Sequence, residues 1–197
     1  MSHYFINDEK LNHDYKNYTI KIKDTTLRFI TDAGVFSKNS LDFGTRVLLE
    51  NIELSKDHQT IIDMGCGYGP IGIYVAKTYP DKKVYLYDVN DRAILLTKQN
   101  SEINQLKNVH IEQSFLFDQV NIQPDVILTN PPIRAGKQTI FKLYEQAHET
   151  LKNGGILYVV IQKKQGAPST EAKLATLFSQ VEVKVKFKGY WLLLAQK

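Results

Sequence analysis

The sequence predicts a doubly wound α/β fold: a mostly parallel sheet of seven strands whose last strand runs antiparallel, preceded by an N-terminal β-hairpin. Three observations carry the prediction. An apolar run, Thr60-Ile61-Ile62-Asp63, leads into Met64-Gly65-Cys66-Gly67-Tyr68-Gly69 and then into a helix opened by Pro70, the strand, tight loop and helix that begin such a fold. Beyond it, apolar runs of strand length alternate with amphipathic stretches, as parallel strands joined by crossover helices require. Near the end, Val181, Val183, Val185 and Phe187 alternate strictly with Glu182, Lys184, Lys186 and Lys188, and an apolar run from Tyr190 follows Gly189. That ending is a strand pair joined by a tight turn.

In chain order, residues 1–17 are mixed and polar with scattered aromatics and carry no assignable element. Tyr18, Ile20 and Ile22 alternate with polar neighbours, Asp24-Thr25-Thr26 makes a turn, and the chain returns over 27–31, which gives the hairpin. Tyr4, Phe5, Tyr15 and Tyr18 are expected to pack on the core rather than stack on bases. Val47, Leu48 and Ile52 place a helix over 45–54 that covers the sheet edge. Helices follow over 71–79, closed before Pro80, and over 91–105, with strands at 84–88, 109–113 and 125–129. Ile140, Tyr144, Ala147 and Leu151 share one face of a helix over 137–152, stopped by Asn153-Gly154-Gly155. The continuously apolar run 156–161 reads as a strand buried on both faces, and 169–179 as a last helix.

Composition sets bounds. The chain has 197 residues, 43% of them apolar, which is enough for a substantial core, and no run spans a bilayer. It is read as one soluble domain, 1–197, with an extension and hairpin over 1–31 and the core over 32–197. One cysteine excludes an internal disulfide and suits a reducing cytoplasm, where the protein is expected. A net charge of +4 permits a nucleic-acid partner without requiring one. The charge is uneven: seven lysines against two glutamates lie from Lys163 onward. A solvated edge strand accounts for Lys184, Lys186 and Lys188 as well as an RNA-facing surface does.

The glycine loop brings backbone close to a ligand and aims the unpaired amides of a helix start at it. Its spacing, Asp63-x-Gly65-x-Gly67-x-Gly69, is neither G-x-G-x-x-G nor a phosphate loop. Cys66 is the small side chain that fits this loop, not a nucleophile. The run 84–88 ends in Asp88, about 20 residues past the glycines, where a doubly wound fold places a carboxylate for ribose hydroxyls. The strand 125–129 ends in Asn130-Pro131-Pro132, whose prolines stop the ladder and hold Asn130 extended. His148 has no ligand partner at metal spacing and is read as structural; no metal site is expected.

The acid-first glycine loop resembles motif I of class I methyltransferases, which bind S-adenosylmethionine on a Rossmann-like sheet. Asn130-Pro131-Pro132-Ile133 resembles the [N/D]-P-P-[aromatic] motif of amino-methylating members. Gly34-Val35-Phe36-Ser37 with Leu41-Asp42-Phe43-Gly44-Thr45 resembles one branch, the "methyltransferase small" domain proteins typified by small-subunit ribosomal RNA guanine-N2 methyltransferases. The resemblance implies that Asp63, Gly65, Cys66, Gly67, Gly69, Asp88, Val89, Ser114, Phe115, Asn130 and Phe36 surround the cofactor, with Ser37 and Thr45 behind them. It implies that Asn130 and Pro131 orient an exocyclic amine of ribosomal RNA, most specifically guanine N2, leaving S-adenosylhomocysteine. Pro132, Ile133, Arg134, Lys137, Lys163 and Lys164 would then meet the substrate. Neither a metal nor a membrane is implied. Two departures stand out: Ile133 replaces the family's aromatic, and the duplicated amino-terminal half of longer members is absent. Methylation of a protein glutamine or an adenine amine, or a non-catalytic RNA-binding assembly factor on the same fold, stays open.

Overall fold

A computed structural model describes residues 12–35, 37 and 40–197. Tyr4, Phe5 and Phe36, named above, lie outside the described residues. Strands β1 (Lys16–Ile22) and β2 (Thr25–Thr31) form the hairpin. The rest alternates as α1 (Phe43–Asn51), β3 (Thr60–Met64), α2 (Pro70–Thr78), β4 (Lys83–Asp88), α3 (Asp91–Ile103), β5 (Val109–Gln113), β6 (Val126–Thr129), α4 (Lys137–Thr150), β7 (Ile156–Gln162), α5 (Ala167–Ala175), β8 (Gln180–Phe187) and β9 (Tyr190–Gln196).

The main sheet has seven strands in the order β5-β4-β3-β6-β7-β9-β8. β3 pairs in parallel with both β4 and β6, and β9 runs antiparallel to β7 and β8. The strand order therefore reverses between β3 and β6, the crevice where open α/β sheets hold ligands at the carboxyl ends of their strands. Two apolar layers sandwich the sheet. One joins the hairpin, α1, α2 and α3 to one face through Leu27, Phe29, Leu48, Ile73 and Leu96; the other joins α4 and α5 to the opposite face through Leu143, Tyr144, Ala167 and Leu174.

Some elements depart from the sequence reading, each for a local reason. α1 starts at Phe43 because Asp42 caps it, its Oδ2 accepting the Thr45 amide at 2.9 Å. It lies across β7 and β9 rather than along the sheet edge. α5 starts earlier than expected, at Ala167, because Pro168 suits a first turn.

The largest departure is in β8. Its alternation predicts one apolar face, but a bulge interrupts the register between Val183 and Val185. Val183 pairs with Leu193, while Val185 pairs with Leu192, a side chain on the other face. Val181 and Val183 therefore join the α4 and α5 layer, and Val185 joins the α1 layer. Lys184, at the bulge, reaches Glu53 with 2.9 Å between Nζ and Oε2.

Candidate active site

The ends of β3, β4 and β5 face α4 and the short turn Ile133–Ala135 across a partly open cleft. Gly65, Asp88, Val89, Ser114, Phe115 and Pro132 line it together. The glycine loop is pinned to β4 because the Tyr87 carbonyl accepts from Gly65 N at 2.8 Å and from Cys66 N at 3.0 Å. A Cβ built on Gly65 would meet only Pro132 Cδ, at 3.8 Å. Gly65 and Pro132 are thus adjoining parts of one cleft wall, whereas Asn130 and Pro131 are not among its lining residues.

Asp88 is buried, and amides orient its carboxylate: Gly67 N donates to Oδ2 at 2.8 Å and Asn90 N to Oδ1 at 2.9 Å. An ionised carboxylate has about four acceptor positions, so amides that fix its plane leave capacity for hydroxyl donors. Asn90 takes the N-cap of α3, its Oδ1 accepting from Ala93 N at 3.1 Å.

Asp63 sits just behind the cleft lining, fully buried. Gly72 N donates to its Oδ2 at 2.8 Å, while Oδ1 has no hydrogen-bond partner among the described residues. Burial first, and then the nearby charge of Asp88, push its pKa up to about 7 against the one amide bond. Gly72 makes this contact possible, since a Cβ there would lie 2.4 Å from Leu86 Cδ2 and 3.2 Å from Asp63 Oδ2. A buried acceptor without a donor, beside a cleft floored by backbone, fits a ligand ammonium. Cys66 is buried with its thiol pushed well above the usual range by burial, and it is no part of the cleft lining.

Asn130 follows β6 and is half-buried. Its Nδ2 donates to Asp42 Oδ2 at 2.9 Å and to Thr45 Oγ1 at 3.0 Å. A carboxylate only accepts, so this pairing fixes which end of the amide faces it. Neither bond uses Oδ1. The strand end beneath is tied down by Thr129 Oγ1, which donates to the Met64 carbonyl at 2.9 Å.

The remaining residues divide. The Ser114 hydroxyl is committed locally, donating to the Leu116 carbonyl at 2.8 Å and accepting from Gln119 N at 3.2 Å. Phe115 is not core: 43% of it is exposed on the cleft wall, with Lys142 Nζ 5.6 Å from its ring centre. Gly67 and Gly69 are not among the cleft-lining residues; both take positive φ, 59° and 94°. Pro131 is buried, Ile133 packs on the α4 layer, Arg134 is exposed, and Lys137 lies over Phe141 at 5.1 Å. Lys163 and Lys164 are exposed in the turn after β7. The Ser37 hydroxyl donates to the Ser40 carbonyl at 2.6 Å, and the Thr45 hydroxyl accepts from Asn130. Asp42 and Gly72 contact Asn130 and Asp63 without having been singled out as site residues; the signal for Asp42 was its place as a capping acid ahead of an apolar helix face. Among the described residues no cluster of His, Cys, Asp or Glu is placed to hold a metal, and no helix is long and apolar enough to cross a membrane.

Comparison with known proteins matches residues 26–194 to the model of the methyltransferase small domain. The uncharacterized protein YbxB of Bacillus subtilis (strain 168) is 42% identical over 197 residues, covering 99% of this chain and 98% of that protein. Ribosomal RNA large subunit methyltransferase G of Shewanella sp. (strain ANA-3) is 30% identical over 190 residues, covering 92% of this chain and 49% of that protein. The chain therefore spans about half the length of this second relative. Among solved structures, the T. thermophilus 16S rRNA N2 G1207 methyltransferase (RsmC), in complex with AdoMet and guanosine, superposes with a TM-score of 0.80 at 22% identity, over 93% of this chain and 50% of that one. That likeness is one of fold.

Proposed function

Because the chain belongs to the methyltransferase small domain family, we propose that it is an S-adenosylmethionine-dependent N-methyltransferase of ribosomal RNA, with the exocyclic N2 amine of a guanine as acceptor. The observation that carries this reading is the orientation of Asn130. Its amide nitrogen is held by Asp42 and Thr45, so its oxygen is the end left for a substrate.

A ring-conjugated amine is a weak nucleophile because its lone pair is delocalised. With Asn130 Oδ1 and the Pro131 carbonyl accepting its two hydrogens, that lone pair turns out of conjugation and toward the cleft. Bound S-adenosylmethionine supplies an electrophilic methyl carbon. Transfer of that methyl group to the amine would leave S-adenosylhomocysteine as the second product and release the amine proton to solvent. Positioning and hydrogen bonding do the work without a strong base. On the cofactor side, Asp88 is set for the ribose hydroxyls, Gly65 and the Asp63 Oδ1 for the amino-acid end, and Val89, Ser114 and Phe115 for the adenine. Ribosomal RNA is supported by the names of the large-subunit relatives and of the 16S structural neighbour, and guanine N2 by that neighbour alone.

The test is transfer of label from radiolabelled S-adenosylmethionine to ribosomal RNA, followed by mass mapping of the modified nucleoside. N2-methylguanosine is expected; label in adenine or in protein would redirect the acceptor, and none in any fraction would overturn the reading. Asn130→Ala is expected to abolish transfer while calorimetry shows cofactor affinity nearly intact.

A further inference from the structure

The tip of the β8–β9 hairpin carries an aromatic and basic surface that the site above does not use. Phe187, the last residue of β8, is 52% exposed. Its ring stacks on Phe43, with centroids 5.9 Å apart and planes at 24°, and Phe43 in turn leans on Tyr190 at 5.6 Å. Gly44 admits the Tyr190 ring, since a Cβ there would lie 2.7 Å from Cε1. Lys188 Nζ lies 5.5 Å from the Phe43 centroid and 5.6 Å from that of Phe187. On the other face Lys186 covers Trp191 at 4.2 Å.

Position gives this cluster its meaning. Lys188 and Gly189, with φ of 44° and 82°, form the turn, and the Gly189 carbonyl accepts from Lys163 N at 2.7 Å. The tip is therefore tied to the exposed Lys163 and Lys164. Along the rim of the sheet the order is β6 with Asn130, β7 with Lys163, β9 with Tyr190 and β8 with Phe187. Three strand spacings of about 4.8 Å place the tip roughly 14 Å from Asn130. Phe43 also directly follows Asp42, which holds Asn130. Lys188, Lys163 and Lys164 bring positive charge to the tip; of the carboxylates, Asp42 acts on Tyr190 but is engaged by Asn130 and the Thr45 amide, Glu182 stands toward the opposite end of β8, and Glu53 is paired with Lys184.

Half of Phe187 faces solvent, with Lys188 beside its ring. We propose that this tip is a stacking surface for an unpaired base of the RNA strand that flanks the methylated nucleotide. Phe187 takes the base, and Lys188, Lys163 and Lys164 take the neighbouring phosphates. The proposal rests on RNA being the substrate.

The test is fluorescence anisotropy of the full chain with a fluorescein-labelled single-stranded RNA of mixed sequence, and with the same RNA as a duplex. Phe187→Ala is expected to weaken single-strand binding on the order of 10-fold, Phe187→Trp to retain it, and Lys188→Gln to weaken it and flatten its salt dependence. Duplex binding is expected to be indifferent to the ring. Phe187→Leu keeps an apolar side chain of similar size, so loss of binding there with an unchanged melting curve and cofactor affinity separates stacking from folding. Wild-type binding with Phe187→Ala and Phe187→Leu both unchanged overturns the stacking surface and leaves the methyltransferase reading standing. No RNA binding by the wild type overturns both. A change in sedimentation with RNA binding unaltered makes the tip a contact between copies of this chain and overturns the proposal.

Discussion

One carboxylate, Asp42, caps the start of α1 through the Thr45 amide and holds the Asn130 amide at 2.9 Å in each case. Removing it should therefore affect chemistry as well as stability. Asp42→Ala is expected to lower kcat on the order of 10²-fold by letting Asn130 rotate, with cofactor affinity unchanged, and to cost about 1 kcal/mol of stability as a lost cap. Thr45→Val keeps the cap and removes only the second acceptor, so single-turnover methylation should show a smaller kcat loss without a change in melting. Asp63 makes a different prediction. Its folded pKa of about 7 stands above the ordinary 3.8, so ionisation opposes folding: the stability it contributes is lost as pH rises through that window. A cofactor ammonium pairs with the ionised form. Calorimetry is expected to show S-adenosylmethionine affinity falling as pH drops below about 7, with proton release on binding, and Asp63→Asn is expected to flatten the dependence.

At the scale of elements, the N-terminal hairpin docks through two asparagines one helical turn apart, Asn100 in the last turn of α3 and Asn104 at its C-cap. Asn100 Oδ1 accepts from Ile30 N at 2.7 Å and its Nδ2 donates to the Ile30 carbonyl at 2.9 Å; Asn104 does the same for Arg28 at 3.1 and 2.7 Å. The side chains act as a further strand along the open edge of β2. Tyr18 and Tyr68 add a hydroxyl–hydroxyl bond of 2.5 Å. Replacing Asn100 or Asn104 by Ala removes bonds to partly buried backbone groups, and each change is expected to cost about 1 kcal/mol, read as an earlier thermal or urea transition. Nothing in the local sequence announces this pairing. Asn100 reads there as one position in an amphipathic stripe, because its partner lies 70 residues away.

Across the whole molecule, legibility followed the range of the interaction. The glycine loop, Asp88, Asn-Pro-Pro and the parallel strands were readable because each is encoded by neighbours in the chain. The hold of Asp42 on Asn130 spans 88 residues and is visible only once β6 and α1 meet. The change of face in β8 was hidden by the very regularity of Val181, Val183, Val185 and Phe187, since a bulge adds one residue without marking it. The same feature has a bearing on how sequences of this kind drift. Loss of a single codon near Lys184 would leave composition and hydropathy almost untouched, yet it would carry either Val181 and Val183 or Val185 and Phe187 to the wrong side of the molecule. In a paired comparison, a gap slipped by one column there would exchange inward for outward along half an arm while every neighbouring position still matched.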